Sequence, residues 1–231
     1  MPYYIIILYI AQVFVAYVCI IGILKYKRLI NPLKVVVWYI LFSLVVDIVK
    51  DVMIYNKIRT LWIDHWFSIL ELLLYMLVFN YWRTSKRYSI LLWLSFVVYL
   101  LIWIVGKFTF EPFMYDDVYS ASVSQTIQIA FGIPVLISII DDKSSIWKND
   151  PRFWIVSGIV FYAASAFFIF ALFNVMLTLP RQIMRMILSF NILFAVIQYG
   201  FFLRAFLCKP VPTPQDVVTG AVGNFQNHKT G

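Results

Sequence analysis

Seven apolar stretches, each long enough to cross a bilayer, fill almost the whole chain and leave no room for a soluble domain of any size. They run over approximately 3–24, 34–55, 61–82, 89–106, 119–140, 153–178 and 183–207. A hydrocarbon core of roughly 30 Å takes about 20 helical residues. Of 231 residues, 63% are hydrophobic and 13% charged, where soluble proteins average about 25% charged. The runs are continuous rather than alternating, so helices and not a closed β-barrel satisfy the backbone in lipid. The expectation is an all-α polytopic membrane protein, a seven-transmembrane helix bundle over residues 1–208. Prolines at 210, 212 and 214 then stop the helix, and the polar remainder, 209–231, reads as a flexible cytoplasmic tail that carries His228.

The net charge of +8 lies in short loops between spans. Insertion topology alone accounts for that placement, so nucleic acid is not an expected partner and the lipid bilayer is. Lys25, Lys27, Arg28, Lys34, Arg83, Lys86, Arg87, Lys143, Lys148, Arg152, Arg204 and Lys209 all flank one membrane side. The other side holds Lys57, Arg59, Lys107 and Arg181, offset by Glu111, Asp116 and Asp117. The bias predicts an outside amino terminus and a cytoplasmic carboxyl terminus, the arrangement of rhodopsins and heptahelical receptors. The first span has no basic start and no small-residue cleavage site, so it reads as a retained helix. Cys19 and Cys208 fall toward the cytoplasmic side, where a structural disulfide is not expected. Rings at span ends, such as Trp62, Trp66, Tyr81, Trp82 and Trp154, form an aromatic belt. The longest outer loop, 107–118, is acidic and aromatic and suits a cap on the bundle.

The informative departures from an apolar bundle are ionisable and amide side chains within the spans. Each costs several kcal/mol in lipid unless it is paired or faces water. Span two carries Asp47, Lys50 and Asp51 at i, i+3 and i+4, on one helical face. Span three carries Asp64, His65, Ser68 and Glu71, with Glu71 roughly 15 Å below the start of its helix and near mid-bilayer. Gln125 and Gln128 on span five, Asn174 on span six, and Arg185 and Asn191 on span seven complete the set. All lie in the outer half of spans two, three, five, six and seven. Two readings stay open. The first is a polar cavity open to the outside, with Asp47, Lys50, His65, Glu71, Gln125, Gln128, Asn174 and Asn191 as its ligand-binding residues. The other is an interhelical hydrogen-bond network that holds the bundle together. Spans one and four carry few polar groups and read as lipid-facing or packing helices. Pro134 predicts a kink or an opened carbonyl that shapes the pocket floor.

Several chemistries fail on residue types. Span seven has no lysine for a retinal Schiff base, and two histidines are too few for an intramembrane zinc hydrolase. No P-loop, Gly-rich nucleotide turn, haem pair or CxxC motif is present. Ser68 and His65 are i, i+3 neighbours on one helix, which does not make a nucleophile and its base. No cofactor, metal ligand set or catalytic residue is expected.

Pro151-Arg152-Phe153-Trp154 followed by Gly158 and Tyr162, with Glu71 and Asn191 in their spans, resembles small bacterial seven-helix membrane proteins of largely unassigned function. Similar bundles serve as membrane sensing modules of histidine kinases. The resemblance implies a multi-pass protein of the inner (cytoplasmic) membrane. It also implies a signalling role through a separate partner protein, since no output domain follows span seven. The residues thus favour a receptor-like or accessory protein that binds a small ligand, lipid or partner in an outward cavity. The alternatives are a small-solute or proton-coupled transporter or channel, and a structural subunit of a membrane complex; an oligomer fits each. Polar groups are sparse in the inner half, with Gln198 and Asn80 the main ones, and this weighs against a through-pathway.

Overall fold

The computed structural model describes residues 3–83, 85–142 and 147–208; the tail expected over 209–231 lies outside the described residues. The elements are α1 (Tyr3–Lys25), α2 (Asn31–Tyr55), α3 (Leu61–Trp82), α4 (Lys86–Thr109), α5 (Val118–Ile140), α6 (Pro151–Ala171), a short α7 (Phe173–Met176) and α8 (Arg181–Leu207). No strand occurs among the described residues. Seven of these helices are long and apolar enough to cross a membrane, the composition and architecture of a multi-pass membrane protein.

Local chemistry sets the helix ends. Pro32 sits in the first turn of α2 and Pro151 opens α6, positions where a missing N–H costs nothing. Asp150 caps α6 by accepting the Arg152 N–H at 2.8 Å, and it also pairs with the Arg152 guanidinium at 2.6 Å. Past the end of α2, Lys57 adopts φ 60°, the left-handed turn that closes many helix C-termini. The sixth expected span ran to residue 178. The helix instead stops at Ala171, and α7 carries the chain on to the Leu179-Pro180 turn before α8.

Sequential helices pack as neighbours, and α8 closes the ring by packing against both α6 and α1. α3 touches α2, α4, α5 and α6, while α4 packs mainly on α3 and α5. Leu91, Leu94, Val97 and Leu101 of α4 are therefore exposed, as expected of a lipid-facing helix. α1 exposes Ile10 and Val13 but buries Val15, Val18 and Cys19 against the core. Cys19 and Cys208 are both free thiols.

Close helix approach depends on small residues. A Cβ added at Gly158 of α6 would lie 2.9 Å from Phe201 Cβ and 3.3 Å from the Gln198 carbonyl oxygen of α8. The second contact is backbone and cannot swing aside. Gly158→Leu is expected to cost about 1–3 kcal/mol through overpacking, whereas a Cβ at Gly200 meets nothing within 4 Å. Thermal unfolding in detergent should show a clear drop for Gly158→Leu and none for Gly200→Ala; equal melting temperatures would refute the α6–α8 packing.

Candidate functional site

The end of the bundle that bears the α2–α3 and α4–α5 connections contains two adjoining polar features, a buried ionic cluster and a cavity. The cluster centres on Lys107, in the last turn of α4 and only 6% exposed. Its ammonium lies 3.0 Å from Glu111 Oε2 and 3.2 Å from Asp117 Oδ1, and it also contacts His65 Nδ1 and, at 3.4 Å, Ser120 Oγ. Glu111 in turn accepts the Tyr119 N–H at 2.6 Å and the Ser120 hydroxyl. His65 Nε2 meets the Tyr115 carbonyl at 3.0 Å. A carbonyl only accepts, so that nitrogen carries a proton. The candidate ligand atoms of His65, Glu111 and Asp117 fall within 4.8 Å of one another. That spacing suits a cation, and the Lys107 ammonium supplies one.

The cluster fastens the α4–α5 connection over the bundle. Phe113 of that connection packs edge-on against His65 at 5.3 Å and Trp103 at 5.8 Å, and stacks near Trp66 at 6.3 Å. Asp117 precedes α5 and bonds Ser68 of α3. Burial pushes the Asp117 carboxyl up, but hydrogen bonds from His65 and Ser68 and the charge of Lys107 act more strongly and hold it below its ordinary value.

Beside the cluster lies a cavity of about 510 Å³, lined from α1, α2, α3, α5, α6, α7, α8 and the α4–α5 connection. That volume is in the usual range for small-molecule sites. Lys50, Asp64 and Asp116 stand toward the connection end, and Lys50 pairs with Asp64 at 2.6 Å. Deeper, Tyr39 donates to Glu71 Oε1 at 2.9 Å, and Ser43 and Tyr199 share a hydrogen bond of 3.0 Å. Gln198 donates to the Tyr75 hydroxyl at 3.0 Å. Tyr39 lies eleven residues before Lys50 on α2, so the cavity reaches about 16 Å down that helix at 1.5 Å per residue. Beyond this floor the bundle is apolar and closed: Val36, Met76, Phe79, Ile155, Phe202 and Phe206 are all 1% exposed or less.

Of the eight residues expected to bind ligand, Asp47, Lys50, Glu71, Gln125 and Asn191 line this one cavity. His65 is fully buried and belongs to the ionic cluster; it is not among the lining residues. Gln128, also buried and outside the lining, donates to Ser124 Oγ at 3.2 Å. The side chains of Asn174 and Arg185 lie outside the described residues. Pro134 does not form the floor: its carbonyl accepts from Arg83 at 2.8 Å, near the opposite end of the bundle.

Sequence reading did not assign site roles to Lys107, Glu111, Asp117, Tyr39, Ser43, Tyr162 or Tyr199. Periodicity carried part of that signal. Tyr39, Ser43, Asp47 and Lys50 follow i, i+4, i+8 and i+11 on α2, and Lys107 and Glu111 are an i, i+4 pair. Fold and cavity together define a bundle of seven helices long and apolar enough to cross a membrane, with a partly open cavity carrying polar groups at one end. No family model, curated protein or solved structure matches this chain.

Two predictions follow from the cluster. Lys107→Met strands two buried carboxylates, at a cost of about 3–5 kcal/mol; limited chymotrypsin digestion should then cut faster at Phe113 and Tyr115, and an unchanged rate would refute the fastening role. The folded-state value of Asp117 lies below its unfolded one, so its stabilisation is complete above the ordinary carboxylate range and is lost as pH falls. Between about pH 5 and pH 3 the melting temperature of the native chain should therefore fall more steeply than that of Asp117→Asn.

Proposed function

We propose that this protein is a receptor-like or accessory heptahelical membrane protein that binds a small ligand in the cavity and passes the event along its helices. The observation that carries the reading is the convergence of Asp47, Lys50, Glu71, Gln125 and Asn191, from four different helices, on a single cavity. A network serving only as glue satisfies its polar groups internally. Here the Gln125 side-chain oxygen, on a residue 3% exposed, has no partner among the described residues. One oxygen of Glu71 likewise receives no hydrogen bond among them.

The cavity end is the outer one in this reading. Lys25, Lys34, Arg83, Lys86, Lys148, Arg152 and Arg204 border the opposite end, the cytoplasmic side under the positive-inside rule. That orientation gives an outside amino terminus in the inner membrane, and a separate partner protein on the cytoplasmic side takes the signal. The apolar layer beyond Tyr75 and Gln198 favours this reading over a transporter, because a through-pathway needs polar groups in both halves.

The test uses a single cysteine. With Cys19 and Cys208 replaced by alanine, Ala195→Cys, on the cavity wall, should react in detergent with the small neutral reagent methyl methanethiosulfonate. Ala166→Cys, at a position fully buried in α6, should not. Glu71→Gln should preserve both the fold and this reactivity. An unreactive Ala195→Cys together with a large drop in melting temperature for Glu71→Gln would replace the cavity reading with the glue reading.

A further inference from the structure

We infer that the ligand is a small organic cation carrying an ammonium group; this rests on the cavity reading above. The charge balance of the walls is one-sided. Asp47, Asp64, Glu71, Asp116 and Asp117 face the cavity, and among the described residues Lys50 is the one cationic side chain in its lining. Lys50 is engaged by Asp64 at 2.6 Å, and Asp117 is served by Lys107 from behind the wall. Glu71 and Asp47 make no ion pair among the described residues, although the charge of Lys50 also acts on Asp47. Glu71 has one hydrogen bond, from Tyr39. The carbonyl oxygen of Gln125, unpartnered and on a residue 3% exposed, adds a further acceptor.

An occupant that displaces water from these acceptors must replace it with donors or positive charge. An anion meets carboxylates of its own charge, and beside a neutral molecule they must take up protons, whereas an ammonium group pairs with them as ions. The remaining walls suit an organic cation rather than a bare metal ion. Phe67, Tyr162 and Tyr199 offer aromatic faces of the kind that attract ammonium groups. Val15, Ala121 and Val196 accept alkyl carbons. A volume of about 510 Å³ is far larger than a metal ion fills, and the compact His–carboxylate set lies in the neighbouring cluster around Lys107. Asp116 is exposed at the connection end, where its charge draws cations in.

The test measures reaction rates of Ala195→Cys with the cationic reagent 2-(trimethylammonium)ethyl methanethiosulfonate and the anionic 2-sulfonatoethyl analogue. Each rate is normalised to that of 2-mercaptoethanol in solution. The cationic reagent should be favoured by about tenfold or more. Glu71→Gln and Asp47→Asn should each reduce that preference severalfold, and Glu71→Asp should retain most of it. Choline should protect the cysteine at concentrations where its neutral isostere, 3,3-dimethylbutan-1-ol, does not. A normalised preference near one, or equal protection by choline and the neutral isostere, with the small neutral reagent still reacting, overturns the cation assignment and leaves the cavity standing. No reaction with any reagent removes the cavity and the assignment together.

Discussion

A charged group in an apolar bundle must bring its own counter-charge, and the polar end of this protein is organised around one answer to that constraint. Lys107 is deeply buried, and its ammonium gathers a histidine from α3, a glutamate just past the end of α4, an aspartate just before α5 and a serine from the first turn of α5. Desolvating four ionisable groups is costly, and only near-complete mutual satisfaction offsets it. The cluster therefore fixes geometry more than it adds stability. It sets where α5 begins and how the α4–α5 connection crosses the bundle, and so it places Asp116 and Asp117 on the cavity wall.

The cavity beside it follows the opposite rule. In the cluster the polar groups close on one another; on the cavity wall, acceptors outnumber the donors that reach them. Tyrosine hydroxyls serve some of them, with Tyr39 on Glu71 and Tyr199 with Ser43. A tyrosine brings a donor and a large apolar ring to the same place, which is how a polar floor rests directly on a dry layer of Met76, Phe79 and Phe202. α3 links the two regions. It contributes His65 to the cluster, Glu71 to the cavity and Tyr75 to the floor, and it touches four other helices. A change in the protonation or partnering of Glu71 acts on a helix that touches four others.

Much of the architecture was legible from hydropathy, because a continuous apolar run of this length has few alternatives to a spanning helix. The ends of the other six long helices fell within a few residues of the expected spans. The exception was the sixth span, where an unbroken apolar run hid the break after Ala171: hydropathy records side-chain polarity, and the turn into α7 changes none of it. The cavity was legible in part because membrane burial makes polar residues rare, so Asp47, Lys50, Glu71, Gln125 and Asn191 stood out. The tyrosines did not, since the same residue type also populates the interfacial belt. His65 and Lys107 were hard to pair from sequence because their separation of 42 positions covers most of two helices. Nothing in spacing alone says that the end of α4 returns to the start of α3.

The distinction between a binding cavity and structural glue comes down to how acceptors are matched with donors. Glue is selected for closure, and the Lys107 cluster illustrates it: nearly every oxygen and nitrogen there meets another within hydrogen-bond reach. If the neighbouring polar residues had the same role, their stoichiometry would match. They instead present Asp47, half of Glu71 and the Gln125 oxygen without protein donors among the described residues, in a space able to hold a small molecule. One end of one bundle thus holds a closed network and an open one, built from the same residue types. The closed one satisfies an internal cation, and the open one leaves acceptors that the proposed cationic ligand would serve.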